Sequence, residues 1–327
     1  MRRTTTTVLG WCCSATAVFA LAGCNVSANM GGVAAEKAKA VTRADHFQAV
    51  AAGKGVLVAV GGDGIVATSK DEGKSWSRQM LAAPSSLIAV AACPDGSFAA
   101  LDFYRKLWTG AGGGDWSAKE IKSKINPLAL ACDSENKIWV VGSRSTILVS
   151  ADKGANWTAK DMGLDAMFVT VQFVDSRHGF ITGEFGSVFS TDDGGANWKA
   201  EAKIAPDFFS YGAYFKDAST GWVAGLAGTV MHTKDGGKSW SKQANKLGAP
   251  IYNIVPHGDS LIALGINGLI FQLQGDQWEL TGPPKPTPYL RGALSLGGDR
   301  LLVAGGAGLL DVISTGGAAA AAPAAKN

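Results

Sequence analysis

Short runs of alternating apolar and polar residues recur along the chain from about residue 45 to residue 315. In one such unit, residues 168–174 alternate as a first strand, residues 180–183 form a second strand and residues 187–190 a third. A tight loop then leads to Trp198, which opens a fourth strand. Alternation with a period of two, interrupted by Gly- and Asp-rich turns, is typical of β-strands joined by hairpins. The pattern therefore predicts an all-β protein.

The unit repeats about every 40 residues, and most copies carry a tryptophan at the same place. These tryptophans are Trp76, Trp116, Trp157, Trp198, Trp240 and Trp278. A period near 40 without helical patterning is typical of a propeller, and residues 290–314 form a seventh unit without the tryptophan. We therefore predict a seven-bladed β-propeller of four-stranded antiparallel blades. Residues 39–44 are expected to supply the outer strand that the seventh blade lacks, which would protect its edge.

A specific loop motif precedes the tryptophan in four units. It reads Ser/Thr-x-Asp-x-Gly-x-x-Trp, with the aspartate at Asp71, Asp152, Asp193 and Asp235. An aspartate in such a loop accepts hydrogen bonds from backbone N–H groups, and the glycine permits a positive φ. This motif is identified as the Asp-box, or BNR, repeat. Each loop offers one or two carboxylates without the spacing of an EF-hand, so we interpret the four aspartates as structural and predict no bound metal.

Composition excludes several classes of protein. Of 327 residues, 46% are apolar and 17% are charged, without long runs of one charge, which excludes disorder for most of the chain. Taking Arg2 and Arg3 of the predicted leader from the 30 basic residues leaves 28, against 27 acidic residues. A chain this close to neutral is not expected to bind nucleic acid, because phosphate recognition needs a surplus of Lys and Arg on one face.

The N-terminus has the pattern of an export signal. Basic residues at the start precede an apolar stretch over residues 8–22, which is short for a membrane span. The stretch ends in Leu-Ala-Gly-Cys at Cys24, which resembles the lipobox of bacterial lipoproteins, an ordinary secretory signal being the alternative. The resemblance implies cleavage before Cys24 and its lipidation, and Asn25 in place of aspartate favours the outer membrane. We therefore expect a periplasm-facing lipoprotein of the cell envelope.

These patterns divide the chain into four segments. A lipoprotein signal peptide spans residues 1–23, and a tether that includes the expected closing strand spans residues 24–44. The propeller spans residues 45–315, and an Ala/Pro-rich tail spans residues 316–327.

Two cysteines remain inside the predicted propeller. Cys93 and Cys132 lie 39 residues apart, at equivalent places in adjacent units. A disulfide needs Cα atoms within about 7 Å, and equivalent points on neighbouring blades are expected to lie further apart. Two buried free thiols are therefore favoured over a bridge, with pairing left open.

The unit resembles the propellers of the photosystem II assembly and stability factors and their relatives in non-photosynthetic bacteria. The resemblance covers about residues 45–315 and is carried most clearly by Val171, Phe173, Asp175, Gly179, Gly183, Gly186, Val188, Thr191, Asp193, Gly195 and Trp198. It implies an assembly factor that holds a membrane subunit, in which an arginine patch on one face serves this role. Here only Arg105 and Arg144 fall at corresponding turns of adjacent units. We therefore expect a non-photosynthetic relative with a small basic spot.

Asp-box propellers also include sialidases, so a catalytic site is an alternative. The arginine arrangement of that family is absent, and the histidines lack zinc-type spacing. Carboxylates across the central channel could still form a hydrolase site, with Asp63, Asp102, Glu184 and Asp207 as candidates. We favour a non-enzyme without catalytic residues or cofactor, and keep a carbohydrate-active, sialidase-like hydrolase as the alternative.

Protein binding is the favoured function. Turns between second and third strands, and crossovers between blades, should gather on the face opposite the Asp-boxes. This face is expected to carry the partner-binding residues Tyr104, Arg105, Arg144, Phe185, Tyr211, Tyr289 and Arg291. Aromatic residues and arginine are enriched in protein interfaces. We predict a monomeric ring, lipid-anchored to a membrane, that binds a membrane protein or membrane complex from the periplasmic side.

Overall fold

The computed structural model describes residues 31–112 and 114–316, which fall into two compact units. The first unit, Met1–Ala38, contributes one described helix, α1 (Gly31–Lys37). Cys24, the predicted leader and the tail from residue 317 lie outside the described residues. Across the described ranges, no helix is long and apolar enough to cross a membrane.

The second unit, Lys39–Asn327, contains seven antiparallel sheets in chain order, so the predicted seven-bladed propeller is confirmed. Blades one to four contain β1 (Phe47–Gly53), β2 (Val56–Gly61), β3 (Ile65–Ser69), β4 (Ser77–Met80), β5 (Leu87–Ala92), β6 (Ser97–Asp102), β7 (Lys106–Ala111), β8 (Gly114–Glu120), β9 (Pro127–Cys132), β10 (Ile138–Gly142), β11 (Thr146–Ser150), β12 (Thr158–Asp161), β13 (Phe168–Phe173), β14 (Gly179–Gly183), β15 (Val188–Thr191) and β16 (Lys199–Ala200).

Blades five to seven follow the same order. They contain β17 (Ser210–Phe215), β18 (Gly221–Gly225), β19 (Thr229–Thr233), β20 (Ser241–Ala244), β21 (Ile251–His257), β22 (Ser260–Gly265), β23 (Ile270–Gln274), β24 (Gln277–Leu280), β25 (Leu290–Ser295), β26 (Arg300–Gly305) and β27 (Leu310–Ser314). Short 3-10 turns join the second and third strands in three blades, at Gly62–Gly64, Glu184–Gly186 and Leu226–Gly228.

Burial is layered from the centre of the ring to its rim. The first strand of each blade contacts the first strands of both neighbours, and β25 contacts β1, which closes the ring. The second strands are buried almost throughout, as β10 and β14 show. They pack between neighbouring blades on both faces, which explains why they read as continuous apolar runs. The outer strands β4 and β12 are largely exposed.

The two cysteines form a disulfide, so the expectation of free thiols was wrong. Cys93 follows β5, and Cys132 is the last residue of β9, with 5.2 Å between their Cα atoms. Blades diverge only toward the rim of a propeller, whereas the innermost strands β5 and β9 are direct neighbours. Equivalent positions on these strands therefore lie within disulfide distance.

Blade seven has three strands, and residues 39–44 do not form its fourth. Contacts between the first and last blades close the ring instead. The backbone N–H of Gly308 donates to the carbonyl oxygen of Asp45 at 2.8 Å, and Arg300 pairs with Glu72 at 2.7 Å. Val41 packs beside Leu310 in the core between these blades. The chain before β1 thus seals the junction through turns and side chains.

Candidate functional site: the face opposite the Asp-boxes

Chain direction divides the loops between two faces. Strands alternate in direction, so the loops that join first to second strands and third to fourth strands share one face, which we call the Asp-box face. The turns between second and third strands lie on the opposite face, together with the crossovers between blades. We call this opposite face the turn face.

Each Asp-box aspartate is engaged by its own loop. Asp193 Oδ1 accepts hydrogen bonds from Thr191 Oγ1 and from the Asn197 backbone N–H, both at 2.8 Å. Its Oδ2 accepts from Asn197 Nδ2 at 2.8 Å, while the Gly195 N–H donates to Thr191 Oγ1 at 2.9 Å. Asp152 repeats this arrangement with Ser150 and Asn156. The carboxylates therefore brace their loops.

The other two boxes use serine where these use asparagine. Ser75 and Ser239 donate through both backbone N–H and hydroxyl to Asp71 and Asp235. These hydrogen bonds lower the pKa of all four Asp-box carboxyls from 3.8 to about 2. Hydrogen bonds to the ionised form favour that form. Protonation of an Asp-box aspartate should therefore weaken the hydrogen bonds that brace its loop.

The turn face is shaped by one irregularity that every blade repeats. Near the start of each first strand, the pairing with the second strand skips one residue. The skipped residues are Gln48, Ile88, Leu128, Val169, Tyr211, Tyr252 and Arg291. A bulge of this kind re-aims a side chain and is common at the rims of barrels and beside functional sites. The seven bulges form a ring at the channel mouth on the turn face.

Several bulged residues line a groove of about 440 Å³ at this mouth. The lining residues are Leu128, Met167, Val169, Glu184, Phe209, Ser210, Tyr211, Leu226 and Arg291. The Tyr211 ring meets Tyr252 edge to face at 5.5 Å, and the Arg291 guanidinium lies over the Tyr252 ring at 5.4 Å. Phe185 packs against Phe209 at 5.5 Å beside the groove. The mouth is thus apolar and aromatic, with one cation and one carboxylate in its lining.

Exposed apolar side chains concentrate on this face. Among the large exposed hydrophobic residues of the second unit, all except Met80 of β4 lie in turn-face loops or bulges: Phe103, Tyr104, Met167, Phe185, Tyr211, Leu226 and Leu247. Such clustering marks interaction sites, whereas isolated exposed apolar residues do not.

The turns between second and third strands share one backbone conformation. One residue in each turn has a φ between 53° and 59°, and the seven are Asp63, Arg105, Arg144, Phe185, Ala227, Asn267 and Ala307. Asn and Asp tolerate this left-handed conformation better than other L residues. Phe185, Arg105 and Arg144 occupy it without that advantage while their side chains are exposed. Because all seven turns share this conformation, it belongs to the repeat, and the exposed side chains at Phe185, Arg105 and Arg144 distinguish these three turns.

Six of the seven predicted partner-binding residues are exposed on the turn face. Tyr104, Arg105, Arg144, Phe185, Tyr211 and Arg291 project to solvent there. Tyr289 is half-buried, and its hydroxyl accepts a hydrogen bond from Gln48 Nε2 at 2.8 Å. Burial raises the pKa of Tyr289. Tyr289 thus belongs in part to the junction between the first and last blades.

The sequence interpretation missed Met167, Leu226 and Phe103. Each of these residues lies either in a crossover between blades or in a turn between second and third strands, and the repeat predicts the position of both. The residue types at these positions vary between blades, so the sequence pattern did not single them out. Phe208, which the repeat also places near this face, is buried in the core with Phe180 and Phe215.

The four carboxylates considered for hydrolysis occupy different settings. Asp102 is fully buried and accepts hydrogen bonds from Trp108 Nε1 at 2.9 Å and the Tyr104 N–H at 2.8 Å. Glu184 lines the mouth, where its Oε2 accepts from the Met167 N–H at 2.9 Å. Asp63 and Asp207 are exposed. Within residues 31–112 and 114–316, no group of three or more His, Cys, Asp or Glu side chains could hold a metal ion.

A search of curated protein sequences finds no significant match. Among solved structures, YCF48 from Cyanidioschyzon merolae superposes with a TM-score of 0.66 and 18% identity, covering 82% of this chain and 94% of that one. A structure of YCF48 bound to D1 peptide gives 0.59 and 20% identity, covering 71% and 78%.

The same fold also serves an enzyme. Virginiamycin B lyase from Staphylococcus aureus superposes with a TM-score of 0.69 and 11% identity, covering 80% of this chain and 92% of that one. At these identities the superpositions show the fold alone. In sequence, the family model of photosynthesis system II assembly factor YCF48 matches residues 155–278, which confirms over that stretch the resemblance to the photosystem II assembly factors.

Proposed function

We propose that this protein is a non-enzymatic binding scaffold that holds an extended segment of a membrane protein during assembly of a complex. The observation that carries the proposal is the mouth groove, an apolar cleft built from bulged residues and bordered by exposed aromatic side chains. YCF48, which this chain resembles over residues 155–278, has been captured with a bound D1 peptide. An assembly or binding role accommodates both facts.

The groove suits a peptide better than a small polar substrate. Tyr211 and Leu226 are each more than two-fifths exposed, so burying them in a complex would remove substantial apolar area from water. Phe185 and Tyr211 supply aromatic anchors, and Arg291 supplies a cation beside them. Aromatic and arginine anchors inside a polar rim are typical of interface hot spots.

We further propose that the ring works from a lipid anchor at Cys24, on the periplasmic side and at the outer membrane. The lipobox-like Leu-Ala-Gly-Cys sequence and Asn25 support this part of the proposal. Anchoring at Cys24 would raise the effective concentration of a membrane partner.

Site-specific photocrosslinking tests the binding proposal. A photoreactive residue in place of Tyr211 should crosslink a membrane protein in intact cells, and one in place of Leu226 should yield the same adduct. The matched control is Met80 of β4, which is 48% exposed but lies away from the turn face. Equal yields of the same adduct from Met80 and from Tyr211 would contradict specific binding at the mouth groove.

The alternative function, glycoside hydrolysis, is tested by an activity assay. If the purified protein hydrolysed glycosides, and Glu184→Gln abolished turnover without changing Tm, the scaffold proposal would be wrong.

A further inference from the structure

Blade two presents two aromatic rings at the tip of its turn between second and third strands. Phe103 is 64% exposed and Tyr104 is 50% exposed, and their rings meet edge to face with 5.7 Å between centroids. Both lie outside the lining of the mouth groove. Two adjacent rings held in water are unfavourable for an isolated propeller, which indicates a partner for this tip.

The tip is fixed by buried groups beneath it. Asp102, which immediately precedes the two rings, accepts hydrogen bonds from the Tyr104 N–H at 2.8 Å and from Trp108 Nε1 at 2.9 Å. Its backbone carbonyl accepts from the Arg105 N–H at 3.0 Å. The rings are therefore presented by a preorganised turn, so little ordering is needed when they bind.

Cations surround the tip. A depression of about 410 Å³ beside Tyr104 is lined by Arg105, Lys122 and Lys124, with Glu120 as its one carboxylate. The three cations are exposed and form no salt bridge within the described ranges. Lys106 lies next to them, and its ammonium donates to the carbonyl oxygen of Pro84 at 2.7 Å. The surface is thus strongly positive around a pair of projecting rings.

We infer that this blade-two tip, made of Phe103, Tyr104, Arg105, Lys122 and Lys124, docks on an anionic phospholipid surface. Aromatic rings favour the interface between lipid headgroups and acyl chains, and basic residues beside them are attracted by anionic headgroups. The rings project outward, whereas peptide anchors usually fill a pocket. A flat charged surface therefore complements the tip better than an acidic peptide does.

Docking would also orient the ring. The tip and the mouth groove share the turn face, so a bilayer bound at blade two brings the groove next to membrane-protein loops. This inference stands apart from the peptide-binding proposal, because none of the three tip cations lines the groove.

Vesicle flotation tests the inference, with the full chain carrying Cys24→Ser so that acylation cannot contribute. The probes are vesicles of phosphatidylcholine with 30% phosphatidylglycerol and vesicles of phosphatidylcholine alone, compared at low and high salt. We expect an excess of binding to the anionic vesicles that high salt reduces. Lys122→Glu/Lys124→Glu should lower this excess at least tenfold, since each basic residue near an anionic surface contributes on the order of fivefold.

Two further variants complete the test. Phe103→Ser/Tyr104→Ser should also reduce binding to anionic vesicles, which distinguishes insertion of the rings from attraction by charge alone. Lys234→Glu/Lys238→Glu makes the same charge change in the Asp-box loop of blade five, where both lysines are exposed, and should leave binding unchanged.

Three results would overturn the inference. The first is equal binding of the protein to both vesicle types. The second is an equal loss of vesicle binding in the blade-two and blade-five charge variants. The third is a blade-two charge variant that still binds vesicles but no longer crosslinks its partner from Tyr211. The last result would assign the tip to an acidic protein partner. A variant of the mouth groove that loses crosslinking but still binds vesicles would bear on the proposed peptide-binding function and would leave the inference about the blade-two tip unchanged.

Discussion

The carboxylate of Asp102 accepts a hydrogen bond from the indole N–H of Trp108 at 2.9 Å, inside blade two and away from solvent. The same carboxyl group accepts from the Tyr104 N–H, so one buried side chain joins the core of the blade to the tip of its turn. Asp133 and Trp139 repeat the pairing in blade three at 2.8 Å. Both aspartates are six residues before their tryptophans, and both act as internal braces.

Removing this brace should destabilise the fold. Asp102→Ala leaves the Trp108 and Tyr104 donors without their acceptor, and a buried unsatisfied donor costs about 1–3 kcal/mol. We expect the free energy of unfolding to fall by about 2–4 kcal/mol, measured by urea denaturation. The matched control is Asp207→Ala, which removes an exposed aspartate and should change stability little. Equal losses from the two variants would contradict the structural assignment of Asp102.

Acid should loosen the Asp-box loops within a defined range of pH. Hydrogen bonds from the loops lower the pKa of Asp71, Asp152, Asp193 and Asp235 to about 2, against 3.8 for an ordinary aspartate. The folded state therefore releases protons that the unfolded chain still binds in this range. The contribution of these loops to stability is complete above about pH 4 and is lost as pH falls through about 2.

The measurement is Tm as a function of pH. Asp→Asn at all four positions should flatten the fall of Tm between about pH 4 and pH 2, in addition to lowering Tm at neutral pH. Asp207→Asn serves as the control outside the loops and should leave the slope unchanged. If the fourfold variant kept the wild-type dependence of Tm on pH, carboxyl groups outside the Asp-boxes would be responsible for the loss of stability in acid.

Periodicity predicted much of this fold because every blade repeats the same local chemistry. The strands of blade four lie within one or two residues of the expected bounds, since Phe168 and Gly183 are bracketed by turns with strong sequence signals. Closure of the ring was not predictable in detail. It depends on contacts between distant residues, such as Arg300 with Glu72, and a local pattern carries no information about those contacts.

The candidate site was predictable in place but not in composition. The turn face follows from strand direction, which is why Tyr211 and Phe185 could be assigned to it. The bulge that aims Tyr211 into the mouth is a property of backbone pairing, and it accepts residues as different as Leu128 and Arg291. The Cys93–Cys132 bridge was misjudged for a related reason, because the distance between blades depends on radius, which sequence spacing does not report.

The disulfide should contribute measurably to stability. Cys93 and Cys132 close a loop with a sequence separation of 39 residues, for which loop entropy predicts roughly 3–4 kcal/mol in the unfolded state. Cys93→Ser/Cys132→Ser should therefore lower the urea midpoint, and reducing agent should lower the wild-type midpoint to a similar value. Thiol labelling with mass spectrometry of the unreduced wild-type protein provides the check. Modification of both cysteines without prior reduction would show that the bridge is absent.

Membrane attachment should depend on Cys24. Cys24→Ala removes the thiol that lipidation requires, so we expect the variant either to appear in the soluble fraction or to keep its signal peptide. Fractionation followed by mass determination of the N-terminal peptide measures both outcomes. Cys93→Ser/Cys132→Ser is the control for loss of cysteine elsewhere and should stay with the membrane. Unchanged fractionation of Cys24→Ala would show that the lipobox-like sequence does not act as one.

Phe185 offers the sharpest separation of function from stability. Its φ of 55° lies in the left-handed region, where a bulky L residue is strained and asparagine is favoured. Its ring is exposed beside the mouth groove, so removing it opens no core cavity. We therefore expect Phe185→Asn to preserve or raise the free energy of unfolding, by up to about 1 kcal/mol, while weakening the photocrosslink from Tyr211.

The control for Phe185→Asn is Ala227→Asn at the equivalent turn of blade five, where φ is 53°. This substitution should give a similar stabilisation, because the backbone conformation is the same, but it removes no aromatic anchor and should leave crosslinking unchanged. Urea denaturation and crosslinking yield are measured on the same preparations. If Phe185→Asn lowered the free energy of unfolding and left crosslinking intact, the prediction would be wrong. The Phe185 ring would then stabilise the fold through its contact with Phe209, and it would not contact a partner.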